Sequence, residues 1–296
     1  MTIPRRNRIC IGLQKGGVGK TTTSVNLAEA MTRLIGENEK ILLIDLDAQR
    51  SSSKSLGIAD GITPTVRELL IDPDKTVADV IHRTSVPRLF IIPSSLKLAP
   101  VESILTVPGE YENPIFQLYS KLTPEAVAQF RYVIIDTPPS MGQLMMNALG
   151  ASDYLIAPME SGSGYSFDGI DDLLKLVTLV KTSQKKFMKA PYHADLELLG
   201  IVLTKHDKRQ TLCKQVHVEL QDKYGGDVFQ TTIALSAAVK KAEIAKQTLL
   251  QSDRKSTAAR HYMQLAEEVI ARIQERDVAR EQQQKSSKQA EPSLVG

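Results

Sequence analysis

The chain has 296 residues, of which 42% are hydrophobic and 24% charged, and a formal net charge of +3. That length suits one α/β unit with a tail and a sizeable core, while a charge so small selects no partner by itself. Cys10 and Cys213 are too far apart for a disulfide framework or a metal knuckle and fit a reducing cytoplasm; without a run of about eighteen apolar residues, or an apolar segment behind the basic start, neither a membrane span nor a signal peptide is expected.

Along the chain, apolar strand-like runs alternate with helical patterns, the mark of a mostly parallel twisted sheet flanked by helices on both faces. Residues 8–13 form the first expected strand. The stretch Leu13-Gln14-Lys15-Gly16-Gly17-Val18-Gly19-Lys20-Thr21-Thr22-Thr23 then turns into a helix that begins near Lys20 and runs to about residue 35. Gly16, Gly17 and Gly19 lack a Cβ, so the backbone can take φ > 0 and aim successive N–H groups at an anion. The positive end of the helix points at the same place. This reads as a phosphate cradle spanning Lys15 to Thr22, with Lys20 as a point charge on the β/γ-phosphates and the Thr21 hydroxyl placed to ligate Mg²⁺.

Further strands are expected at residues 41–44, 89–92, 132–135, 154–157 and 198–203, with another possible at 228–231. Ser51, Ser52, Ser53 and Ser55 suggest a loop, and residues 66–70 and 77–81 read as short helices. Pro108, Gly109, Asn113 and Pro114 make residues 100–124 an irregular connection. These elements assign residues 1–275 to one domain. From 276 to 296 the chain is rich in Gln, Lys and Ser, and a disordered polar tail is expected there.

Two strand ends carry carboxylates. Asp136 follows Val133-Ile134-Ile135 in a Walker B arrangement, suited to holding Mg²⁺ through a water, and Asp45 and Asp47 follow the apolar run 41–44. Alternation along an extended chain points Asp45 and Asp47 to one side. Aspartates that merely solvate a turn at a strand end would read the same way in isolation; a phosphate loop in the same chain favours a nucleotide site.

The general pattern G-x-x-x-x-G-K-[ST] fails here, because Gln14 stands where its first glycine is required. What replaces it, K-G-G-x-G-K-T-T with a second lysine at Lys15, resembles the deviant Walker A motif of the ParA/MinD family of P-loop ATPases, and within it the ParA/Soj-type partition ATPases. Val133-Ile134-Ile135-Asp136-Thr137-Pro138-Pro139-Ser140 and Ser24-Val25-Asn26-Leu27-Ala28 are similar to that family as well, and the likeness extends over roughly residues 8–265, looser after Asp168. The resemblance implies ATP and Mg²⁺ as cofactors and an ATP-dependent sandwich homodimer in which Lys15 reaches the partner's nucleotide. It further implies nonspecific binding to double-stranded DNA, a nucleoid-associated location and hydrolysis stimulated by a ParB-like, cargo-bound partner. In the family's D-x-D-P-Q element the second aspartate is associated with the attacking water; the resemblance gives that role to Asp47 and a supporting one to Asp45. Ala48 stands in place of the proline here, and Ala234 replaces a proline in one of two loops, Thr204-Lys205-His206-Asp207 and Thr231-Thr232-Ile233-Ala234, that resemble family loops near the base.

Between Thr204 and Arg260 eleven Lys and Arg face six Asp and Glu, a net charge of +5 that leaves the rest of the chain slightly acidic. Lys208, Arg209, Lys240, Lys241, Arg254 and Lys255 are the candidate DNA contacts, acting on phosphates without reading bases. Solvated helix faces would carry the same charges. Tyr262, Leu265, Ala266, Val269, Ile270 and Ile273 recur at helical spacing with Glu267, Glu268 and Glu275 interleaved, which fits a helix packed on the domain better than the membrane-binding helix of MinD-type relatives. A MinD-like membrane positioner and a nucleotide-switched scaffold with negligible turnover are the alternatives left open by the sequence.

Overall fold

The computed structural model describes residues 7–162, 167–187 and 196–290. Seven strands, β1 (Arg8–Ile11), β2 (Lys40–Asp45), β3 (His82–Arg83), β4 (Leu89–Ile92), β5 (Phe130–Asp136), β6 (Tyr154–Glu160) and β7 (Glu197–Thr204), form one sheet in the order β3-β4-β2-β5-β1-β6-β7. All neighbours run parallel except β3, which pairs antiparallel with β4 at the edge. The apolar strand runs are buried because helices cover both faces of a parallel sheet. The chain winds from β1 toward β2 and β4, then returns past β5 and β1 to β6 and β7. The crevice outside the carboxyl ends of β1 and its neighbours is therefore where a ligand is expected in such a sheet.

The helices are α1 (Lys20–Thr32), α2 (Ser51–Ser55), α3 (Val66–Ile71), α4 (Val77–Val80), α5 (Val101–Leu105), α6 (Gln117–Lys121), α7 (Gln143–Gly150), α8 (Phe167–Phe187), α9 (Thr211–Tyr224), α10 (Ala237–Ile244), α11 (Leu249–Ser252) and α12 (Thr257–Ala290). Two apolar cores lie on opposite faces of the sheet. One contains Val133, Ile135, Leu155 and Leu173, the other Ile9, Ile134, Leu27, Leu265 and Val269. Helix α1 is buried nearly all round, because α2, α11 and α12 pack against the parts of it that the sheet does not cover. Its polar residues are matched there: Asn26 Oδ1 accepts the Leu249 N–H at 2.7 Å, and Glu29 accepts from the Thr248 hydroxyl and from Arg33 at 2.7 Å. A buried carboxylate and amide at these positions are tolerable because each has a donor or acceptor at hand.

Several expectations are corrected. The four-serine segment is a helix, α2, rather than a loop, since Ser52 and Ser53 spend their hydroxyls on buried carboxylates of the neighbouring strands instead of on water. Residues 228–231 form no strand; a single bridge joins Val228 to Ile201. Helix α12 continues past the expected domain end at residue 275 as far as residue 290; residues 291–296 lie outside the described residues. Large apolar residues are scarce here, and polar contacts hold this part of the helix. Arg276 donates to the Leu198 carbonyl at 2.9 Å, and Arg280 donates to Glu197 at 2.7 Å and to the Tyr154 hydroxyl at 2.9 Å. Upstream, Tyr262, Leu265, Ala266, Val269 and Ile273 are buried against the sheet, as the periodicity predicts for a helix packed on the domain. Among the described residues no helix is long and apolar enough to cross a membrane.

Candidate nucleotide site

The turn from β1 into α1 is built by two glycines with positive φ, Gly17 at 77° and Gly19 at 89°. Gly19 is the residue before the helix and has no side-chain cap, so the first helical N–H groups are left available. Gly16 does not share the left-handed conformation expected of it. A Cβ at either Gly16 or Gly17 would meet nothing within 4 Å, which is the open side an incoming anion needs. Lys20 is buried, with its Nζ donating to the Lys15 carbonyl at 2.7 Å, so its head is folded over the loop. Burial lowers the Lys20 pKa, while Asp136 and Asp47 push it back up. Val18 is fully buried under the loop and its carbonyl accepts from the Thr204 hydroxyl at 2.8 Å, tying the loop to the end of β7.

Asp136 ends β5 with both oxygens engaged: Ser24 Oγ donates to one at 2.8 Å and Ser52 Oγ to the other at 2.7 Å, and the nearby Thr21 hydroxyl adds to their lowering of its pKa. Burial raises its pKa to about 6 despite these three hydroxyls. Asp45, its neighbour across the β2–β5 pairing, is likewise fully buried and raised to about 7, by burial first and then by the Asp136 charge.

Asp45 and Asp47 do not share a side. The strand ends at Asp45, so a period of two has nothing to act on beyond it. Asp45 turns into the protein, accepting from Ser53 N–H at 2.9 Å, Ser53 Oγ at 2.7 Å and Asp47 N–H at 3.1 Å. That makes it a residue that positions the turn rather than one that reaches a ligand. Asp47 is half-buried and faces the cavity, its side chain accepting from the Gln49 N–H at 2.9 Å. Arg50 closes the turn with φ at 61°, unusual for a side chain of that size. Its guanidinium donates to the Ser94 and Ala59 carbonyls, each at 2.9 Å, and pairs with Asp60.

A cavity of about 510 Å³ opens at the carboxyl ends of these strands. Gly16, Gly17, Gly19, Lys20, Thr21 and Thr22 form its floor, Asp47 and Thr137 one side, and Thr204, Lys205, Ile233 and Ala234 another. Both loops that resemble family loops near the base thus contribute to its wall. Lys15 lies at the front of the loop, half-buried and outside this lining. Sequence reading missed Glu243 of α10, which accepts from the Thr22 hydroxyl at 3.2 Å, and Tyr262 of α12, whose hydroxyl shares a hydrogen bond with Thr23 at 3.3 Å. No local pattern marks either, because both arrive from more than 200 residues away. Ser24 and Ser52 carry the same lesson as partners of Asp136.

The six candidate DNA contacts are all exposed and come from three separate segments. Lys240 lies on the rim of the cavity, with Lys241 beside it on α10. Lys208 and Arg209 sit in the loop after β7, with Arg209 spent on an ion pair to Asp207 at 2.9 Å. Arg254 and Lys255 lie in the turn between α11 and α12. His206, in the loop after β7, is buried, with Nδ1 at 2.7 Å from Ser161 Oγ.

The donor set fits a nucleotide with its metal. A glycine cradle, a buried lysine head, and a hydroxyl and a carboxylate close to one another are the groups such a ligand uses. The AAA domain family profile AAA_31 matches residues 6–190. The chromosome partitioning protein ParA of Myxococcus xanthus is 33% identical over 265 residues, covering 89% of this chain and 88% of that protein. The sporulation initiation inhibitor protein Soj of Bacillus subtilis is 36% identical over 267 residues, covering 89% and 98%. Among solved structures, cobyrinic acid a,c-diamide synthase from Mycobacterium smegmatis with bound ADP and magnesium superposes with a TM-score of 0.72 at 26% identity, covering 89% of this chain and 93% of that one. With the phosphate loop, the strand-end carboxylates and this similarity over most of its length, the chain belongs to the ParA/MinD family of deviant Walker A P-loop ATPases.

Proposed function

We propose that the protein is a ParA-type partition ATPase that binds ATP and Mg²⁺ in this cavity, closes as a homodimer around the nucleotide, binds double-stranded DNA without sequence preference, and is returned to the open state by hydrolysis. The observation that carries the reading is that Asp47 and the phosphate loop face one cavity while Asp136 is buried beside it, hydrogen-bonded to Ser24 of the helix that follows the loop. The loop amides and Lys20 bind the β/γ-phosphates. Thr21 and, through water, Asp136 are the residues that would hold Mg²⁺, which supplies neutralisation of phosphate charge. Asp47 orients the attacking water, and the turn fixed by Asp45, Ser53 and Arg50 keeps it in place. Lys15 contributes its charge to the partner's nucleotide, as an arginine finger does, and so links closure to ATP.

The exposed lysines and arginines of the later half supply phosphate contacts, and a ParB-like, cargo-bound protein stimulates turnover. Substitution tests the site directly. Asp47→Ala is expected to lower ATP turnover by at least about 10²-fold while leaving ATP affinity within about twofold, because it removes only the group acting on water. Lys20→Ala is expected to weaken ATP binding itself by about 10- to 100-fold, the loss of a charge-assisted contact. Equal turnover in Asp47→Ala and the unaltered protein would remove Asp47 from the mechanism.

A further inference from the structure

The wall of the cavity formed by residues 233–235 is held largely by backbone. Ile233 N–H donates to the Leu203 carbonyl at 2.7 Å, His206 N–H to the Ile233 carbonyl at 2.9 Å, and Leu235 N–H to the His206 carbonyl at 3.2 Å. The amide of Ala234, at the centre of that wall, is different: its N–H donates to Nδ1 of His261 on α12, at 3.1 Å. An imidazole that accepts at Nδ1 is neutral with its proton on Nε2; as an imidazolium it has no acceptor left and would set one N–H against another. This contact can therefore be switched off by one proton, where backbone contacts cannot.

We propose that His261 is a positioning residue for the nucleotide, its neutral ring fixing Ala234 and with it the part of the cavity that receives the base. The inference rests on the nucleotide reading given above, and it adds a residue that neither the phosphate loop nor the carboxylates involve. The surroundings keep the ring neutral. Arg260 on the same helix and Lys208 from the loop after β7 both oppose its protonation, and partial burial acts more strongly still, so its pKa lies below the ordinary histidine value. His206 lies close by, and its pKa is lowered too, by burial first and then by His217 and Lys208. The acidic groups nearby are already committed. Asp207 is paired with Arg209, and Glu268 accepts the Gln230 and Thr231 amides and an ion pair from Arg272. Glu267 lines the outer hollow beside His261 together with Lys208.

Two variants separate acceptor from proton. In His261→Asn the side-chain oxygen takes the place of Nδ1 and does not titrate; in His261→Leu the acceptor is gone. Affinities for ATP and for inorganic tripolyphosphate, which has no base, would be measured calorimetrically between pH 8 and pH 5.5. Thermal midpoints taken alongside exclude variants that fail to fold. Because its pKa lies below the ordinary histidine value, the ring is only partly protonated at pH 5.5, and between pH 7.5 and 5.5 the unaltered protein is expected to lose a few-fold more ATP affinity than His261→Asn does, with His261→Leu weak throughout. Tripolyphosphate is expected to show one pH profile in all three proteins, because the phosphate loop and the buried aspartates are common to them. Identical ATP profiles in the unaltered protein and His261→Asn would overturn the proposal, as would tripolyphosphate affinities that change along with those for ATP. A protein that binds tripolyphosphate as tightly as ATP at pH 7.5 would mark a different failure, that of the nucleotide reading on which the proposal stands.

Discussion

Ser52 Oγ donates to Asp136 Oδ2 at 2.7 Å, joining the helix that follows the Asp47 turn to the carboxylate at the end of β5. Through this bond the part of the site assigned to the attacking water and the part assigned to the metal are one hydrogen-bonded unit. Ser52→Ala leaves Asp136 with the Ser24 and Thr21 hydroxyls but raises its pKa further, since Ser52 is the strongest of the three groups holding it down. The Mg²⁺ concentration for half-maximal turnover is expected to rise about tenfold at neutral pH, a typical cost of losing an outer-shell partner. Titrating Mg²⁺ against ATPase rate in both proteins checks this.

The buried carboxylate pair predicts a pH effect on stability in the absence of nucleotide and metal. Asp45 and Asp136 hold their protons to about pH 7 and about pH 6 in the folded protein, whereas in the unfolded chain both release them near pH 4. Between these limits the folded state binds more protons, so this pair's contribution to stability falls as pH rises from about 4 toward 7. Asp45→Asn removes one of the two titrations and is expected to flatten that decline. Urea midpoints at pH 5 and pH 7.5 measure the slope; an unchanged slope in the variant would contradict the account of Asp45.

Helix α10 carries Lys240 and Lys241 and is held to the domain by Ala242, by Ala238 and Val239 packed against the core, by its neighbour α11 and by the bond from Thr22 to Glu243. Thr22 is in the first turn of the helix that follows the phosphate loop, and the Glu243 bond therefore connects nucleotide to a basic surface. Thr22→Val is expected to keep ATP affinity within a few-fold and to reduce the ATP-dependent part of DNA affinity by about three- to tenfold, the worth of one hydrogen bond. Filter binding to duplex DNA with ATP and without nucleotide reads the difference.

What could be read from the sequence divides along a physical line. The strand run at residues 89–92 and the short helices beginning at Val66 and Val77 are set by local periodicity, and the structure places them as expected. The phosphate loop was legible because glycine, lysine and threonine there serve one local turn. Asp45 was misplaced because its direction depends on Ser53, whose backbone and hydroxyl come from a segment that composition alone reads as loop. The places of Glu243, Tyr262 and His261 at the cavity are not legible in the sequence. Glu243 and Tyr262 reach the cavity from α10 and α12, with His261 behind its wall on α12, and these helices are brought to α1 by long-range contacts such as Thr22 with Glu243 and, through α11, Asn26 with Leu249, across 221 and 223 positions. The contacts of the helical stretch beyond residue 276 are not legible for a related reason, since Arg280 and Tyr154 meet only once the sheet exists.

The central claim is that ATP closes a dimer competent for DNA, and duplex-DNA binding across a salt series tests it most directly. Affinity would be measured in ATP, in ADP and without nucleotide, for the unaltered protein, Lys15→Gln and Asp47→Ala. The account predicts binding that requires ATP, weakens steeply with salt as phosphate contacts do, disappears in Lys15→Gln, and persists in Asp47→Ala. Binding that is the same in all three nucleotide states, or that survives in Lys15→Gln, would contradict it.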